Sequence, residues 1–520
     1  MSKKLLKSGA IVSAMTLISR ILGLIRDMVV ANILGAGAAA DVFLMANKIP
    51  NFLRRLFAEG AFAQAFVPVF SEYQQKEDET ELRKLIAAVS GTLGTIVTVI
   101  TLIGVLGSPV IIALFGFGWF VDWWQGGPDA EKYTLASTLL KITFPYLWFI
   151  TFVAMSGAIL NSLGKFAIAA FTPVFLNIAI ISCALILAPH VAQPEYIMAS
   201  GVFLGGLIQF LFQIPFLKQA GVLVKPKWQW HHPGVVKIRT LMIPAMFGVS
   251  VSQINLLLDT VIASFLQDGA LSWLYFSDRL LEFPLGLFGI AIATVILPSL
   301  SRLHASDSKQ DFAQTLDWGF RLVCLLGVPA MFGLILLAQP MLAVLFMSGK
   351  FSQVDVQMAS MSLIAYGFGL LSFMLVKVLA PGYYARQDTK TPVKYGIIAM
   401  VSNMAFNIIF AIPYGYVGLA IATSLSASLN AFMLWRGLKN QGVFILQPGT
   451  VWFLIRLLLA AFAMGAFLVY FTPDLSTWAE QPKLSQVWLL AALISAGAVI
   501  YLAINLVFGL RPRDLRTAGG

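Results

Sequence analysis

The sequence predicts an all-α polytopic membrane protein of about fourteen transmembrane helices, arranged as two six-helix lobes related by pseudo-twofold symmetry plus two C-terminal helices. Three observations carry this expectation. Of 520 residues, 59% are hydrophobic and 11% charged, with a mean hydropathy of +0.84, a balance outside that of soluble globular chains. The apolar residues gather in stretches of about 20 or more, each long enough for a hydrocarbon core of about 30 Å. Finally, the first half of the chain recurs, weakly but repeatedly, in the second.

The apolar stretches cover residues 9–33, 42–70, 85–107, 134–158, 166–188, 197–217, 240–266, 272–302, 318–338, 357–380, 392–412, 416–436, 451–471 and 486–509. The first follows Lys3, Lys4 and Lys7 and is interrupted by Arg20 and Arg26. No small-residue cleavage site follows it, so it reads as a spanning helix rather than a removed signal peptide. The loops sort by charge. Lys76, Arg83 and Lys84, Lys165, the 218–239 segment, Arg302 and Lys309, Arg386, Lys390 and Lys394, Arg436 and Lys439, and Arg511, Arg513 and Arg516 fall on the side of the N-terminal lysines. The alternate loops, at 35–41, 122–132, 190–195, 267–268, 350–355, 413–416 and 473–483, carry few basic residues. Basic loops stay cytoplasmic, so both termini are predicted cytoplasmic. The same asymmetry accounts for the net charge of +11 without nucleic acid. Cys183 and Cys324 lie in apolar runs and imply no disulfide framework.

The repeat sets the domain organisation. Residues 26–37 (RDMVVANILGAG) match 258–269 (LDTVIASFLQDG), and 61–71 (AFAQAFVPVFS) match 291–301 (AIATVILPSLS). Thr172-Pro173-Val174 returns as Thr391-Pro392-Val393. The expected divisions are a lobe over 1–218, a cytoplasmic linker over 219–239, a second lobe over 240–440, and an additional helix pair over 441–520. An even number of spans per repeat gives both copies one orientation, with the pseudo-twofold axis along the membrane normal. A substrate path is then expected between the lobes. The aromatic stretch 115–133 on the outer side reads as an interfacial belt, with a binding lid as the alternative. Trp228, Trp230, His231 and His232 fall in the linker.

Charges inside the spans mark the candidate site, because an arginine at membrane depth persists only against a wet cavity or a partner. Ser19, Gly23 and Arg26 share a face of the first span, with Arg20 near mid-membrane. In the second span Asn47, Asn51, Arg54 and Ala58 form one stripe. Pro50 is expected to bend that helix one turn above Arg54. Arg55 and Glu59 are four apart and read equally as a structural pair or as functional groups. In the eighth span Ser272, Tyr275, Arg279 and Glu282 line up, and Asp278 and Glu282 flank the arginine. Lys141, Lys377 and Arg456 sit nearer helix ends and read as snorkelling side chains. Guanidinium forks suit phosphate oxygens, so Arg20, Arg26, Arg54 and Arg279 point to a cavity for an anionic, phosphorylated amphiphile. Asp259, Asn403, Asn407 and Thr423 read either as packing contacts between helices or as oxygen ligands for a small cation such as Na⁺. No other cofactor is expected. His190, His231, His232 and His304 lie in loops without metal-ligand spacing, and Gly164-Lys165 lacks the rest of a P-loop. The pattern is therefore that of a transporter rather than an enzyme.

Several runs resemble one family. They are Ser19-Arg20-x-Leu22-Gly23-x-x-Arg26-Asp27, Gly35-Ala36-Gly37 up to Asp41, and Ile49-Pro50-Asn51-x-x-Arg54-Arg55-x-Phe57-Ala58-Glu59-Gly60-Ala61-Phe62. Ser277-Asp278-Arg279-Leu280-x-Glu282-Phe283-Pro284 and the run from Pro381 to Pro392 join them. Together they resemble the MurJ (MviN) family of lipid II flippases over nearly the whole chain. The resemblance implies a fold similar to multidrug and polysaccharide exporters, in the bacterial inner membrane. It implies that lipid II, the undecaprenyl-pyrophosphate-linked peptidoglycan precursor, is flipped from the cytoplasmic to the periplasmic leaflet by alternating access. It implies that Arg20, Arg26, Arg54 and Arg279 line the cavity, that Asp41 is functional, and that the last two helices form a groove for the lipid tail. Some members bind sodium at the positions of Asp259, Asn403, Asn407 and Thr423, with an acid where Asn407 stands here. Expected partners are lipid II, membrane lipids and the cell-wall synthesis machinery. The alternatives are an exporter of another lipid-linked oligosaccharide and an ion-coupled drug exporter of the same fold.

Overall fold

A computed structural model describes residues 3–55, 62–76, 78–306 and 308–511, and all regular structure among them is helical. In lipid every backbone N–H and C=O needs an internal partner, which helices supply within each segment. The first half runs α1 (Lys3–Leu34), α2 (Ala38–Leu53), α3 (Ala63–Lys76), α4 (Glu79–Leu106), α5 (Ser108–Phe115), α6 (Phe117–Gln125), α7 (Ala130–Thr143), α8 (Tyr146–Ser162), α9 (Phe166–Phe171), α10 (Pro173–Ser182) and α11 (Pro194–Gln219). The second runs α12 (Pro233–Ala263), α13 (Ala270–Pro284), α14 (Ile290–Ala305), α15 (Lys309–Leu336), α16 (Ala338–Phe346), α17 (Gln353–Tyr384), α18 (Lys390–Tyr414) and α19 (Tyr416–Asn440). Three more close the chain: α20 (Thr450–Phe471), α21 (Leu475–Glu480) and α22 (Lys483–Val507). Local chemistry sets several ends. The Asp78 carboxylate accepts from the Glu81 amide at 2.8 Å to start α4, and Ser352 with Asp355 forms a capping box at α17.

All fourteen predicted stretches are helical over nearly all of their described residues. Ten helical segments among the described residues are long and apolar enough to cross a membrane. The other four predicted spans, at 9–33, 42–70, 240–266 and 272–302, carry the arginine and aspartate clusters. Two of these four are not continuous α-helix. Residues 54–55 form a wider π turn at the end of α2, and Leu285–Gly289 forms a π stretch after α13. Pro50 lies one turn before the first break, and Pro284 is the last residue of α13; proline removes a backbone donor and loosens the turn around it. These breaks fall at corresponding places in the sequence repeat, and π turns gather at functional positions. The aromatic stretch 115–133 is not loop: most of it is the short helix α6 and the start of α7.

The chain packs as two compact units, residues 1–271 with 348–350, and 272–347 with 351–520. The sequence divides the chain at 219–239 by its repeat, whereas packing places α12 with the first unit. The reason is apolar: Val235 and Ile238 of α12 join a buried cluster with Phe66, Val69 and Phe70 of α3 and Leu85, Ile86 and Val89 of α4. In the second unit the last helices dock on α15 and α16. The Arg321 Nε lies 2.7 Å from the Asp317 carboxylate and 2.9 Å from Thr450 Oγ1, which clamps α15 to the first residue of α20. Tyr501 of α22 donates to the Leu325 carbonyl at 3.0 Å.

Residues 348–350 close on the end of α1 within the first unit. The Lys350 amide donates to the Asn32 carbonyl at 2.8 Å. Gly349 has φ +58, and a Cβ there would lie 2.3 Å from Asn32 O, so only glycine fits. Gly349→Ala is expected to cost about 1–3 kcal/mol and to lower the thermal midpoint of the purified protein. Gly126 shares the positive φ but has open space around it, so Gly126→Ala should cost less. Equal midpoints for the two variants would contradict the close approach.

Candidate substrate-binding site

The polar stripe of α2 is a hydrogen-bonded chain. Asn51 Nδ2 donates to the Asn47 carbonyl at 2.9 Å and to Asn47 Oδ1 at 3.3 Å. Arg54 Nε donates to Asn51 Oδ1 at 3.2 Å. The three side chains are half-buried, and their spacing puts them on one face. Asn51, itself held by Asn47, engages the guanidinium at Nε where the helix widens into its π turn. Arg55, one residue round, is exposed. Its expected partner Glu59 lies outside the described residues. A second cation on α2 escaped the sequence reading: Lys48 Nζ donates to Thr260 Oγ1 of α12 at 2.7 Å. Its position inside the apolar 42–70 stretch was the available signal.

Arg26 is held inside the first unit. Its Nε and Nη2 donate to Asp27 Oδ1 at 3.0 and 2.7 Å, and Nη1 donates to Asn177 Oδ1 of α10 at 3.1 Å. Asn177 Nδ2 in turn donates to the Ser19 carbonyl at 3.2 Å. The Asp27 side chain is 3% exposed and that of Arg26 13%. Ser19 therefore contributes its backbone to this network through Asn177, a residue the sequence offered no reason to single out. Arg20, on another face of α1, is exposed.

In the second unit Arg279 lies on α13. Nε and Nη2 donate to the Tyr275 hydroxyl at 3.3 and 3.0 Å, and Nη1 donates to Glu282 Oε2 at 3.2 Å. The guanidinium also lies 5.1 Å from the Tyr275 ring centroid. The expected Glu282 contact is thus present, and Tyr275 adds a second one. Asp278 is exposed beside them, and Ser272 is fully buried one turn before Tyr275.

Asp41 is buried at the start of α2, where its Oδ2 accepts from the Gly269 amide at 2.8 Å. It fixes the turn that follows α12, close to Lys132, which pairs with Asp129 and Asp268. Asp259, on α12, is half-buried. In the second unit Asn403 and Asn407 of α18 are buried, and Thr423 lies on the adjacent helix α19. Asn403 Oδ1 has no hydrogen-bond partner, and Thr423 Oγ1 donates to its own helix at Leu419 O, 2.9 Å away. All three side chains are neutral, so as ligands for a hard cation they would be a weaker set than one with an acid at 407. Among the described residues no group of three or more His, Cys, Asp or Glu is spaced to hold a metal. Of the three residues expected to snorkel, Lys141 and Lys377 are exposed, whereas Arg456 is half-buried and its Nη1 donates to Phe508 O at 2.9 Å.

The fold is that of a membrane transporter. An inward-facing multidrug resistance MATE family transporter of the MOP superfamily superposes with a TM-score of 0.64 at 14% identity, covering 84% of this chain and 98% of that one. A closer match is a lipid II flippase MurJ in an inward closed conformation, with a TM-score of 0.78 and 29% identity over 97% and 99% of the two chains. The family model for lipid II flippase MurJ matches residues 30–486. Probable lipid II flippases MurJ of Vibrio cholerae and Haemophilus influenzae are 66% and 61% identical, over 99% and 97% of this chain and 98% and 100% of theirs. The chain belongs to the MurJ family, a family of flippases rather than enzymes. It is a multi-pass membrane protein.

Proposed function

We propose that this chain carries lipid II from the cytoplasmic to the periplasmic face of the bacterial inner membrane by alternating access, with both of its termini in the cytoplasm. The observation that carries the chemistry is the Asn47–Asn51–Arg54 chain, in which Asn51 orients a guanidinium at membrane depth through Nε. A guanidinium oriented in this way suits the oxygens of a phosphate, which it can meet with charge-assisted hydrogen bonds. Arg26 and Arg279 each have a carboxylate beside them, yet both keep edges on neutral groups, Asn177 and Tyr275. A phosphate oxygen can replace either contact with a charge-assisted one. Arg54 and Arg26 of the first unit bind the pyrophosphate in this reading, Arg279 gives the second unit a guanidinium of the same kind, and the polyprenyl tail stays in lipid near α20 and α22. Where a sodium ion binds, Asn403, Asn407 and Thr423 would hold it, and it would supply a fixed positive charge within the second unit.

The purified chain should bind lipid II and leave a cationic dye unbound, since the site offers guanidinium groups where a cation exporter needs acids. Binding of the dye, with none of lipid II, would overturn the assignment in favour of a drug exporter.

A further inference from the structure

The segment joining α11 to α12 plays no part in flipping as described above, yet it is built with care. Residues 218–239 hold Lys218, Lys225, Lys227, Lys237 and Arg239 and no aspartate or glutamate. They do not form a slack linker. The Lys227 amide donates to the Ala87 carbonyl at 2.8 Å, and the Gln229 amide donates to Thr92 Oγ1 at 3.2 Å. A Cβ on Gly91 would lie 2.2 Å from the Lys227 carbonyl, so the glycine lets this strap lie flat on α4. The last charged residue of α4 is Lys84. At 1.5 Å per residue, Ala87 and Thr92 lie about 5 and 12 Å further along the helix. The strap is therefore pinned level with the boundary between headgroups and acyl chains, not out in the aqueous phase.

Its side chains suit that depth. Trp228 and Trp230 stack with centroids 5.8 Å apart, and the Arg239 guanidinium lies 4.4 Å over the Trp230 ring. Trp228 is 54% exposed, and tryptophan favours the membrane interface. With Gln229, His231 and His232 the pair lines an open recess of about 810 Å³. His232 accepts from the Gly234 amide through Nδ1, and burial lowers its pKa below the ordinary imidazole value, so it adds no charge near neutral pH. Of the carboxylates in this region, Glu72 pairs with Lys237 of the strap and with Lys76, Glu81 pairs with Lys84, and Glu79 lies beside Gly221. Lys218, Lys225 and Lys227 are exposed and give the strap a positive face.

The geometry points to a binding surface for anionic phospholipid headgroups, with the tryptophan pair seated at the acyl boundary and the lysines on headgroup phosphates. Its assignment to the cytoplasmic leaflet rests on the orientation proposed above; the binding itself does not depend on flipping. Native mass spectrometry of the purified full-length chain, titrated with phosphatidylglycerol or phosphatidylcholine, tests it. The wild type should prefer phosphatidylglycerol. Lys225→Gln/Lys227→Gln should weaken that lipid about tenfold or more while leaving phosphatidylcholine and the lipid-free thermal midpoint unchanged. Trp228→Ala/Trp230→Ala should weaken both lipids. Equal affinity of the wild type for the two lipids, or unchanged phosphatidylglycerol binding in the lysine variant, would overturn the proposal, whatever the outcome of a lipid II assay.

Discussion

Arg54→Ala is expected to abolish support of growth in a strain depleted of its own lipid II flippase, while the protein still accumulates in the membrane. Arg54 is half-buried, with Asn51 holding it through Nε, and the abundance of the variant in the membrane reports on its fold. What is lost is a guanidinium fork for a phosphate oxygen. Truncating one partner of such a desolvated pair costs about 2–5 kcal/mol, or about 30-fold or more in affinity. Arg54→Lys keeps the charge without the fork and should restore growth only in part. Asn51→Ala removes the support rather than the charge and should weaken lipid II binding less than Arg54→Ala. Full growth of the Arg54→Ala strain at native expression would remove Arg54 from the mechanism.

Arg26→Ala is expected to fail differently. Its partner Asp27 is almost wholly buried, and deleting one member of a buried ion pair leaves an uncompensated charge worth about 3–5 kcal/mol. The variant should therefore lose thermal stability or membrane abundance as well as activity. Arg26→Leu/Asp27→Leu removes both charges and should recover much of the stability without recovering transport. Midpoints of the purified single and double variants decide this. A stable, inactive Arg26→Ala would show that Asp27 needs no partner, and a fully active double variant would show that Arg26 serves only the fold.

The contrast between these arginines marks what the sequence could convey. Helical periodicity relates residues within one span, so it put Asn47, Asn51 and Arg54 on one stripe and Tyr275, Arg279 and Glu282 on another. The structure bears out both stripes as hydrogen-bonded sets. Hydropathy found every long helix because the bilayer imposes one length on all of them. Contacts between spans obey no such local rule. Asn177 meets Arg26 from α10, Thr260 meets Lys48 from α12, and Gly269 meets Asp41 across 228 positions. Each of those partners is an ordinary residue whose role appears only when two helices pack. The domain division shows the same limit. A repeat in sequence relates α12 to α1, whereas burial of Val235 and Ile238 ties α12 to α3 and α4. The 219–239 linker likewise owes its attachment to Gly91, a glycine on another helix.

The most direct test of the central claim is translocation itself. In cells depleted of their own flippase and carrying this chain, lipid II should become accessible to a lipid II-degrading enzyme added outside the cytoplasmic membrane. With Arg54→Ala in its place, at equal membrane abundance, the lipid II pool should stay protected. Protection of the pool in cells carrying the wild-type chain would contradict the account, and equal exposure with the two proteins would contradict the role given to Arg54.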